Sequence, residues 1–141
     1  MKRTASAVWL GNLKQGNGTV STGNGALENT PYSFSSRFEN GAGTNPEELI
    51  AAAHAGCFTM ATSASLGRAG LTPERLSTEA TLTLEQVQGS WTITTIHLQL
   101  TGRVPGISQA KFAEIAADAK ANCPVSRLLK AEITLDTKLE G

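Results

Sequence analysis

The 141-residue sequence has few charges, few aromatic side chains and no long apolar run. Charged residues make up 17% of the chain, and the 12 basic and 12 acidic side chains give a formal net charge of zero. This balance argues against nucleic acid or an anionic membrane surface as the main partner. No stretch approaches the roughly 20 apolar residues that a membrane span needs, and residues 5–10 are too short for a secretory signal. We therefore expect a cytoplasmic protein.

Bulky apolar residues are also scarce. Leu, Ile, Val and Phe together account for 30 of the 141 residues, and 19 alanines supply much of the remaining apolar content. The charge is too low and too mixed to predict disorder, so a folded domain with a thin core is expected. A dimer interface would supplement such a core.

The N-terminal third is rich in Gly, Asn, Ser and Thr, which is typical of short strands joined by turns. Residues 19–22 and 26–30 are predicted strands on either side of a turn. Tyr32, Phe34 and Phe38 then alternate with polar residues, which predicts a further strand with Arg37 on the face opposite the aromatic side chains. A small antiparallel sheet is expected here.

A long helix is predicted after residue 44. Asn45 suits the N-cap, Pro46 the first helical position and Glu48 the third, which completes a capping box. The apolar pattern continues from residue 49 to residue 69, and Gly70 suits the position after the helix. Most residues in the middle of this helix are small, so we expect another backbone to pack closely against it.

Apolar and polar residues alternate around residues 79–100, which predicts strands in the second half of the chain. The alternation changes phase at Thr94–Thr95, which predicts a β-bulge there. Ser108 suits the N-cap of a helix whose apolar face extends to Cys123. A short helix from Pro124 to Leu129 and a closing strand over residues 131–139 follow. The predicted fold class is α+β, a single domain over residues 1–141, with an N-terminal sheet, a long central helix and a second β-meander with helices beside it.

The two cysteines, Cys57 and Cys123, are the main candidates for chemistry. A structural disulfide is improbable in a reducing compartment, so the thiols are inert, metal-binding or redox-active. Burial in the middle of a helix would raise the pKa of Cys57, whereas a position at the start of a helix would lower that of Cys123. These arguments do not rank the two thiols. Arg37 is a candidate to stabilise a thiolate, and Glu47 to hold that arginine.

Spacing constrains how these residues could meet. Glu47 and Cys57 are ten residues apart, about 15 Å along a helix axis, so one arginine head cannot contact both within one subunit. If they share a site, Glu47 comes from an antiparallel helix of a second copy. A composite site across a dimer would satisfy this constraint and also explain the thin core.

The sequence also offers two other kinds of site. His54 precedes Cys57 by three residues, and with Cys123 and His97 it could form a zinc site, but no second close pair exists and a packed or solvated histidine is favoured. We expect no metal and no cofactor. The alternative to redox chemistry is a dimer that binds an apolar ligand, with non-catalytic thiols and a lining that includes four side chains: Phe34, Phe38, Phe58 and Met60.

Several motifs resemble the OsmC family, and the resemblance extends from about residue 16 to residue 139. They are Gly18–Thr22, Arg37–Glu39, Gly43–Leu49, Ala53–Phe58, Cys123–Arg127 and Lys130–Leu135. His54 and the position of Arg37 favour the osmotically inducible branch over the organic hydroperoxide resistance branch.

The resemblance implies an intertwined cytosolic homodimer and a thiol-dependent peroxidase that prefers organic hydroperoxides. By position, Cys57 would be the peroxidatic thiol and Cys123 the resolving thiol. Arg37 would stabilise the thiolate, and Glu47 would orient the arginine. An external dithiol would reduce the resulting disulfide, and the cycle requires neither metal nor flavin.

Overall fold

The computed structural model describes residues 1–141, which form two compact units, Met1–Leu49 and Ile50–Gly141. The boundary between the units falls inside the longest helix, and each unit is described by itself. In chain order the elements are β1 (Ala5–Leu10), β2 (Asn17–Thr22), β3 (Thr30–Tyr32), α1 (Phe34–Phe38), α2 (Pro46–Arg68), β4 (Arg75–Val87), β5 (Ser90–Arg103), α3 (Gln109–Asn122), α4 (Pro124–Leu128) and β6 (Glu132–Glu140).

The first unit contains a three-stranded antiparallel sheet in the order β1-β2-β3, which confirms the predicted N-terminal sheet. At its centre Gly18 pairs with Trp9 on one side and with Tyr32 on the other. A Cβ at this position would collide with the Tyr32 ring, the Trp9 ring and the Val8 carbonyl. Glycine therefore allows the two aromatic rings to approach each other, with their centroids 5.4 Å apart.

Two local predictions for this unit were wrong. Residues 34–38 form helix α1 rather than a strand, because Ser33 and Ser36 make a reciprocal capping box that begins a helix. Ser36 Oγ also donates to the Thr44 carbonyl at 2.8 Å, which ties α1 to the approach to α2. Residues 26–29 are turn rather than strand, since Asn24 Oδ1 accepts from the Ala26 N–H and bends the chain. Strand β1 was not predicted.

Helix α2 begins where its capping signals placed it. The Glu48 N–H donates to Asn45 Oδ1 at 2.7 Å, and Gly70 follows the helix with a φ of +77°. By length and composition α2 could cross a membrane, contrary to the sequence expectation. Two polar side chains of this helix, His54 and Thr62, are fully buried.

The second unit contains the sheet β4-β5-β6. Strands β4 and β5 form a hairpin whose turn residues, Gln88 and Gly89, both have positive φ, 52° and 81°. Thr83 pairs with Thr95 and Leu84 with Ile93, so Thr94 is the extra residue of a bulge, as predicted.

The predicted meander is wrong in one detail, because β6 pairs with β5 in the parallel sense. A parallel connection needs a crossover of a dozen or more residues. Helices α3 and α4 provide that crossover between the two strands. The α+β class is confirmed, and so is the order of the elements from α2 to β6.

The core of the second unit lies where the sheet, α3 and α2 meet. Alternate residues of β5, Ile96, Leu98 and Leu100, are fully buried, as the period-two pattern predicted. The predicted apolar face of α3 is buried with them. The remaining core side chains are Phe58, Leu66, Val104, Phe112, Ile115, Ala116, Ala119 and Cys123.

Candidate active site

The second unit brings the two cysteines together. Cys57 lies in the middle of α2, and Cys123 lies between α3 and α4, where it is the C-cap of one helix and the N-cap of the other. Their Sγ atoms are 3.0 Å apart, within hydrogen-bond distance, and both thiols are free. Cys123 is 1% exposed and Cys57 is half-buried. The pair is therefore shielded from bulk solvent but can be reached through Cys57.

The two thiols differ in acidity. Burial raises the pKa of Cys57, and the hydrogen bond with Cys123 raises it further. Burial acts in the same direction on Cys123, but hydrogen bonds from Cys57, from Ser126 and from the Val125 backbone outweigh it and lower the pKa of Cys123. In the reduced pair Cys123 is therefore the more acidic of the two thiols. Both sequence arguments about acidity are thus confirmed.

A buried histidine lies on the same helix as Cys57. His54 is fully buried, and its Nε2 is 2.7 Å from Ser126 Oγ. Its Nδ1 is also buried and has no hydrogen-bond partner. Desolvation lowers the pKa of His54, so the ring is neutral at neutral pH. This arrangement fits a packed histidine, the favoured interpretation of the sequence.

The first unit brings Arg37 and Glu47 together. Arg37 donates from Nε at 2.9 Å and from Nη2 at 2.7 Å, in both cases to Glu47 Oε1. Glu47 lies in the first turn of α2 and is buried. Its other carboxylate oxygen, Oε2, has no hydrogen-bond partner. The expected pairing of these two side chains is therefore present, although Arg37 comes from helix α1 and not from a strand.

An apolar cleft lies beside Arg37 in the first unit. It has a volume of about 290 Å³, and its lining consists of Trp9, Leu13, Tyr32, Ser33, Phe34, Arg37 and Phe38. The guanidinium carbon of Arg37 is 5.1 Å from the centroid of the Phe38 ring. Of the four apolar side chains proposed from the sequence, Phe34 and Phe38 line this cleft. Phe58 is instead in the core of the second unit, and Met60 is 76% exposed on α2.

The residues considered for a zinc site do not converge. His97 lies in β5, with Nδ1 at 2.6 Å from Thr134 Oγ1 and Nε2 at 3.1 Å from Asp136 Oδ2. His54 bonds Ser126 instead. No group of three or more His, Cys, Asp or Glu side chains is arranged to hold a metal ion.

Sequence reasoning missed Ser126, which lies 2.7 Å from His54 Nε2 and contributes to the lowered pKa of Cys123. A signal was available. Cys123 and Ser126 are three residues apart across a predicted helix start, the spacing at which an N-cap residue and the third helical residue meet. The pairing of Ser126 with His54 had no sequence signal, because the two residues are 72 positions apart.

Comparison with known proteins adds independent evidence. A family model described as OsmC-like protein matches residues 39–138. The chain is 51% identical over 139 residues to peroxiredoxin OsmC of Escherichia coli, covering 99% of this chain and 97% of the relative. It is 31% identical over 100 residues to an organic hydroperoxide resistance protein of Xanthomonas axonopodis, covering 70% and 68% of the two chains.

The fold of this chain is also similar to that of solved structures. The crystal structure of an OsmC-like protein of unknown function from Vibrio cholerae matches with a TM-score of 0.78 at 16% identity, covering 97% of this chain and 99% of that one. Such a match supports the fold alone. The family model and the full-length similarity to a curated relative go further, and on that evidence the chain belongs to the OsmC family.

Proposed function

We propose that this chain is a cysteine-based peroxidase that reduces organic hydroperoxides to alcohols in stress defence. The observation that carries the proposal is the 3.0 Å approach of the Cys57 and Cys123 sulfurs, two free thiols from distant parts of the chain. Full-length similarity to a peroxiredoxin supports the same activity. A cytoplasmic location, where an external dithiol is available as reductant, is part of the proposal.

In the proposed cycle the Cys57 thiolate attacks one peroxide oxygen, and the O–O bond breaks. The sulfur is oxidised to a sulfenic acid, and the other oxygen leaves as an alkoxide that takes a proton from solvent to give the alcohol. Cys123 then attacks the sulfenic sulfur, forming a disulfide and releasing water once the departing hydroxide is protonated. An external dithiol restores both thiols by exchange and is itself oxidised to a disulfide.

The acidity of the pair imposes a condition on the first step. Because burial and the hydrogen bond with Cys123 raise the pKa of Cys57, its thiol must lose a proton before Cys57 can attack. The short distance between the sulfurs provides a direct path for that proton. A cation beside Cys57 would favour the thiolate form of Cys57, and Arg37 is the proposed cation.

Arg37 and Glu47 are proposed to act on the thiols of a second subunit. Glu47 is buried and accepts two hydrogen bonds from Arg37, which orients the guanidinium. The ten-residue spacing of Glu47 and Cys57 is the argument for a composite site. In this role Arg37 would stabilise the Cys57 thiolate and the charge that develops on the leaving oxygen.

The surface of α2 supports the proposed homodimer. Within the second unit its exposed residues include Ala52, Ala53, Gly56 and Met60, which follow one face of the helix. A Cβ at Gly56 would meet nothing within the chain, so packing inside the subunit does not require glycine there. Apart from Met60 the residues of this face are small, which allows the helix of a second copy to approach closely.

The apolar cleft supports an organic hydroperoxide as substrate. Its aromatic lining suits an apolar substituent, and Arg37 at its edge suits the polar peroxide group. Hydrogen peroxide has no apolar part to fill such a cleft. The natural hydroperoxide would therefore carry an alkyl or aryl group.

The first test is the intact mass of the reduced, metal-free protein after one equivalent of cumene hydroperoxide. We expect a loss of about two hydrogens and a linked Cys57–Cys123 peptide. Cys57→Ser should abolish peroxide turnover, while Cys123→Ser should leave a sulfenic acid that dimedone traps. An unchanged mass with both thiols free, or full turnover by the Cys57→Ser protein, would contradict the proposal.

A further inference from the structure

The two sulfurs of the cysteine pair differ in their exposure to solvent. Cys123 is 1% exposed and belongs to the apolar core of the second unit, whereas Cys57 is half-buried and packs against the edge of that core. The proposed cycle ends when an external dithiol breaks the disulfide between them, and the dithiol could attack either sulfur. Thiol–disulfide exchange depends on access to the sulfur that is attacked, so the difference in exposure has a chemical consequence.

The backbone holds Cys123 in its buried position. Its N–H donates to the Ala119 carbonyl at 2.9 Å, and its carbonyl accepts from the Arg127 N–H at 3.1 Å. Residue 123 is therefore the junction of α3 and α4 and is bonded to both helices. Moving this residue outward would break both hydrogen bonds and open the core, which is costly.

Oxidation of the pair requires little movement. The reduced sulfurs are 3.0 Å apart, and the sulfurs of a disulfide are about 2.05 Å apart, so closing the bond shifts the two atoms by roughly 1 Å in total. A shift of this size does not carry Cys123 out of the core. The burial seen in the reduced pair therefore also describes the disulfide.

The Cys57 sulfur needs an entrance in any case. In the proposed cycle the peroxide reacts at Cys57, so the working assembly must have a path from solvent to this sulfur. Cys123 reacts only with Cys57 and needs no path of its own. A dithiol that enters as the peroxide does therefore meets the Cys57 sulfur first.

We propose that the external dithiol attacks the Cys57 sulfur of the disulfide and that Cys123 is the leaving group. The inference rests on the proposed function and assigns the step that completes its cycle. Cys57 then reacts with the peroxide and with the reductant in turn, while Cys123 stays buried in the core throughout.

The exchange takes place in two steps. A thiolate of the dithiol forms a bond to the Cys57 sulfur, the Cys57–Cys123 bond breaks, and its electron pair leaves with Cys123 as a thiolate. The second thiolate of the reductant then attacks the reductant's own sulfur in the mixed disulfide and releases Cys57. The reductant ends as a disulfide, and its two protons restore the two cysteine thiols. The lowered pKa of Cys123 agrees with this order, because a more acidic thiol leaves faster.

The direct test identifies the cysteine that a reductant joins first. Diamide generates the Cys57–Cys123 disulfide without peroxide, and the monothiol 2-mercaptoethanol then forms a mixed disulfide with the attacked cysteine. Acid quenching at successive short times stops the exchange, and pepsin digestion at low pH with peptide mass measurement locates the adduct. Extrapolated to zero time, the adduct on Cys57 should exceed that on Cys123 by about tenfold or more, since reaching Cys123 means breaking its two backbone hydrogen bonds.

Unfolded protein provides the matched control. In concentrated urea the same disulfide exposes both sulfurs, so both cysteines should carry the adduct in comparable amounts. This control also shows that an adduct on Cys123 is detectable. If the native protein distributes the adduct as the unfolded protein does, or places most of it on Cys123, the inference is overturned.

Single-cysteine variants measure access to each sulfur separately. In the folded, reduced proteins, Cys57 of the Cys123→Ser variant should react with dithiodipyridine about tenfold or more faster than Cys123 of the Cys57→Ser variant. In urea the two rates should be similar. Cys123 is the more acidic thiol, so acidity alone would give the opposite order in the folded proteins. A faster reaction of Cys123 in the folded protein would contradict the inference.

The outcomes separate this inference from the proposed function. Diamide supplies the disulfide, so locating the adduct does not depend on peroxidase activity. If cumene hydroperoxide leaves the reduced parent unchanged, the proposed function fails and the attacked sulfur is still identified. If the parent is oxidised by the peroxide and the adduct lies on Cys123, only this inference fails.

Discussion

At the scale of single residues, the acidity of each thiol depends on its place along a helix. Cys57 is in mid-helix, where backbone N–H groups are occupied and desolvation dominates, so its pKa is raised. Cys123 lies where one helix ends and another begins, and there hydrogen bonds with Cys57, Ser126 and the Val125 backbone outweigh burial and lower its pKa. The proposed peroxidatic thiol is therefore the less acidic of the two in the reduced subunit and needs a cation from elsewhere.

Arg37→Ala tests whether Arg37 is that cation. We expect alkylation of Cys57 at neutral pH to slow by about tenfold or more, because an opposite charge within a few ångströms favours the thiolate by at least one pH unit. The measurement is the rate of iodoacetamide labelling in a Cys123→Ser background. Arg75→Ala, an exposed arginine on β4, is the control and should react like the parent. An unchanged rate in Arg37→Ala would remove the arginine from the site.

At the scale of elements, Asn45 determines where α2 begins and how α1 is held in the first unit. Its Oδ1 accepts from the Glu48 N–H at 2.7 Å, and its Nδ2 donates to the Ser36 carbonyl at 2.9 Å. One side chain thus caps a helix and binds the preceding one. The position of Glu47, in the first turn of α2, depends on this start.

Asn45→Ala should lower the free energy of unfolding by about 1 to 2 kcal/mol, since it removes an N-cap and a second hydrogen bond. Asn45→Asp keeps the capping oxygen and should lower the free energy of unfolding by less than Asn45→Ala does. Urea denaturation measures both. Asn122→Ala, at the exposed end of α3, should change stability by no more than about 0.5 kcal/mol. If Asn45→Ala and Asn122→Ala lowered the free energy of unfolding equally, the cap would not stabilise the fold.

At the scale of the whole molecule, the exposed small-residue face of α2 and the thin core point to assembly. Ala53 on α2 and Ala121 on α3 are both exposed helical alanines. They form a matched pair, because replacing either one by leucine adds the same volume to the surface of a helix. Only the first position lies on the proposed interface.

Ala53→Leu should raise the dimer dissociation constant roughly tenfold to a hundredfold, because overpacking costs about 1 to 3 kcal/mol. Ala121→Leu should leave it unchanged. Analytical ultracentrifugation measures both constants, and peroxidase activity at low protein concentration should fall with the loss of dimer if the site is composite. A parent that sediments as a monomer would contradict the homodimer.

The predictions that held were based on local signals. The start of α2, the bulge at Thr94 and the apolar face of α3 each follow from a few neighbouring residues whose capping or periodicity is unambiguous. The errors arose where two local preferences competed. Residues 34–38 alternate like a strand, but the Ser33–Ser36 capping box begins a helix there.

By itself the sequence determined the α+β class, the order of most elements, the two thiols and the Arg37–Glu47 pairing, because capping, periodicity and charge act over short distances or within recognisable motifs. Only the tertiary structure decided that β6 runs parallel to β5 and that His54 meets Ser126. Packing of distant segments also decided the 3.0 Å approach of the sulfurs, since no pattern in neighbouring residues encodes a contact across 66 positions.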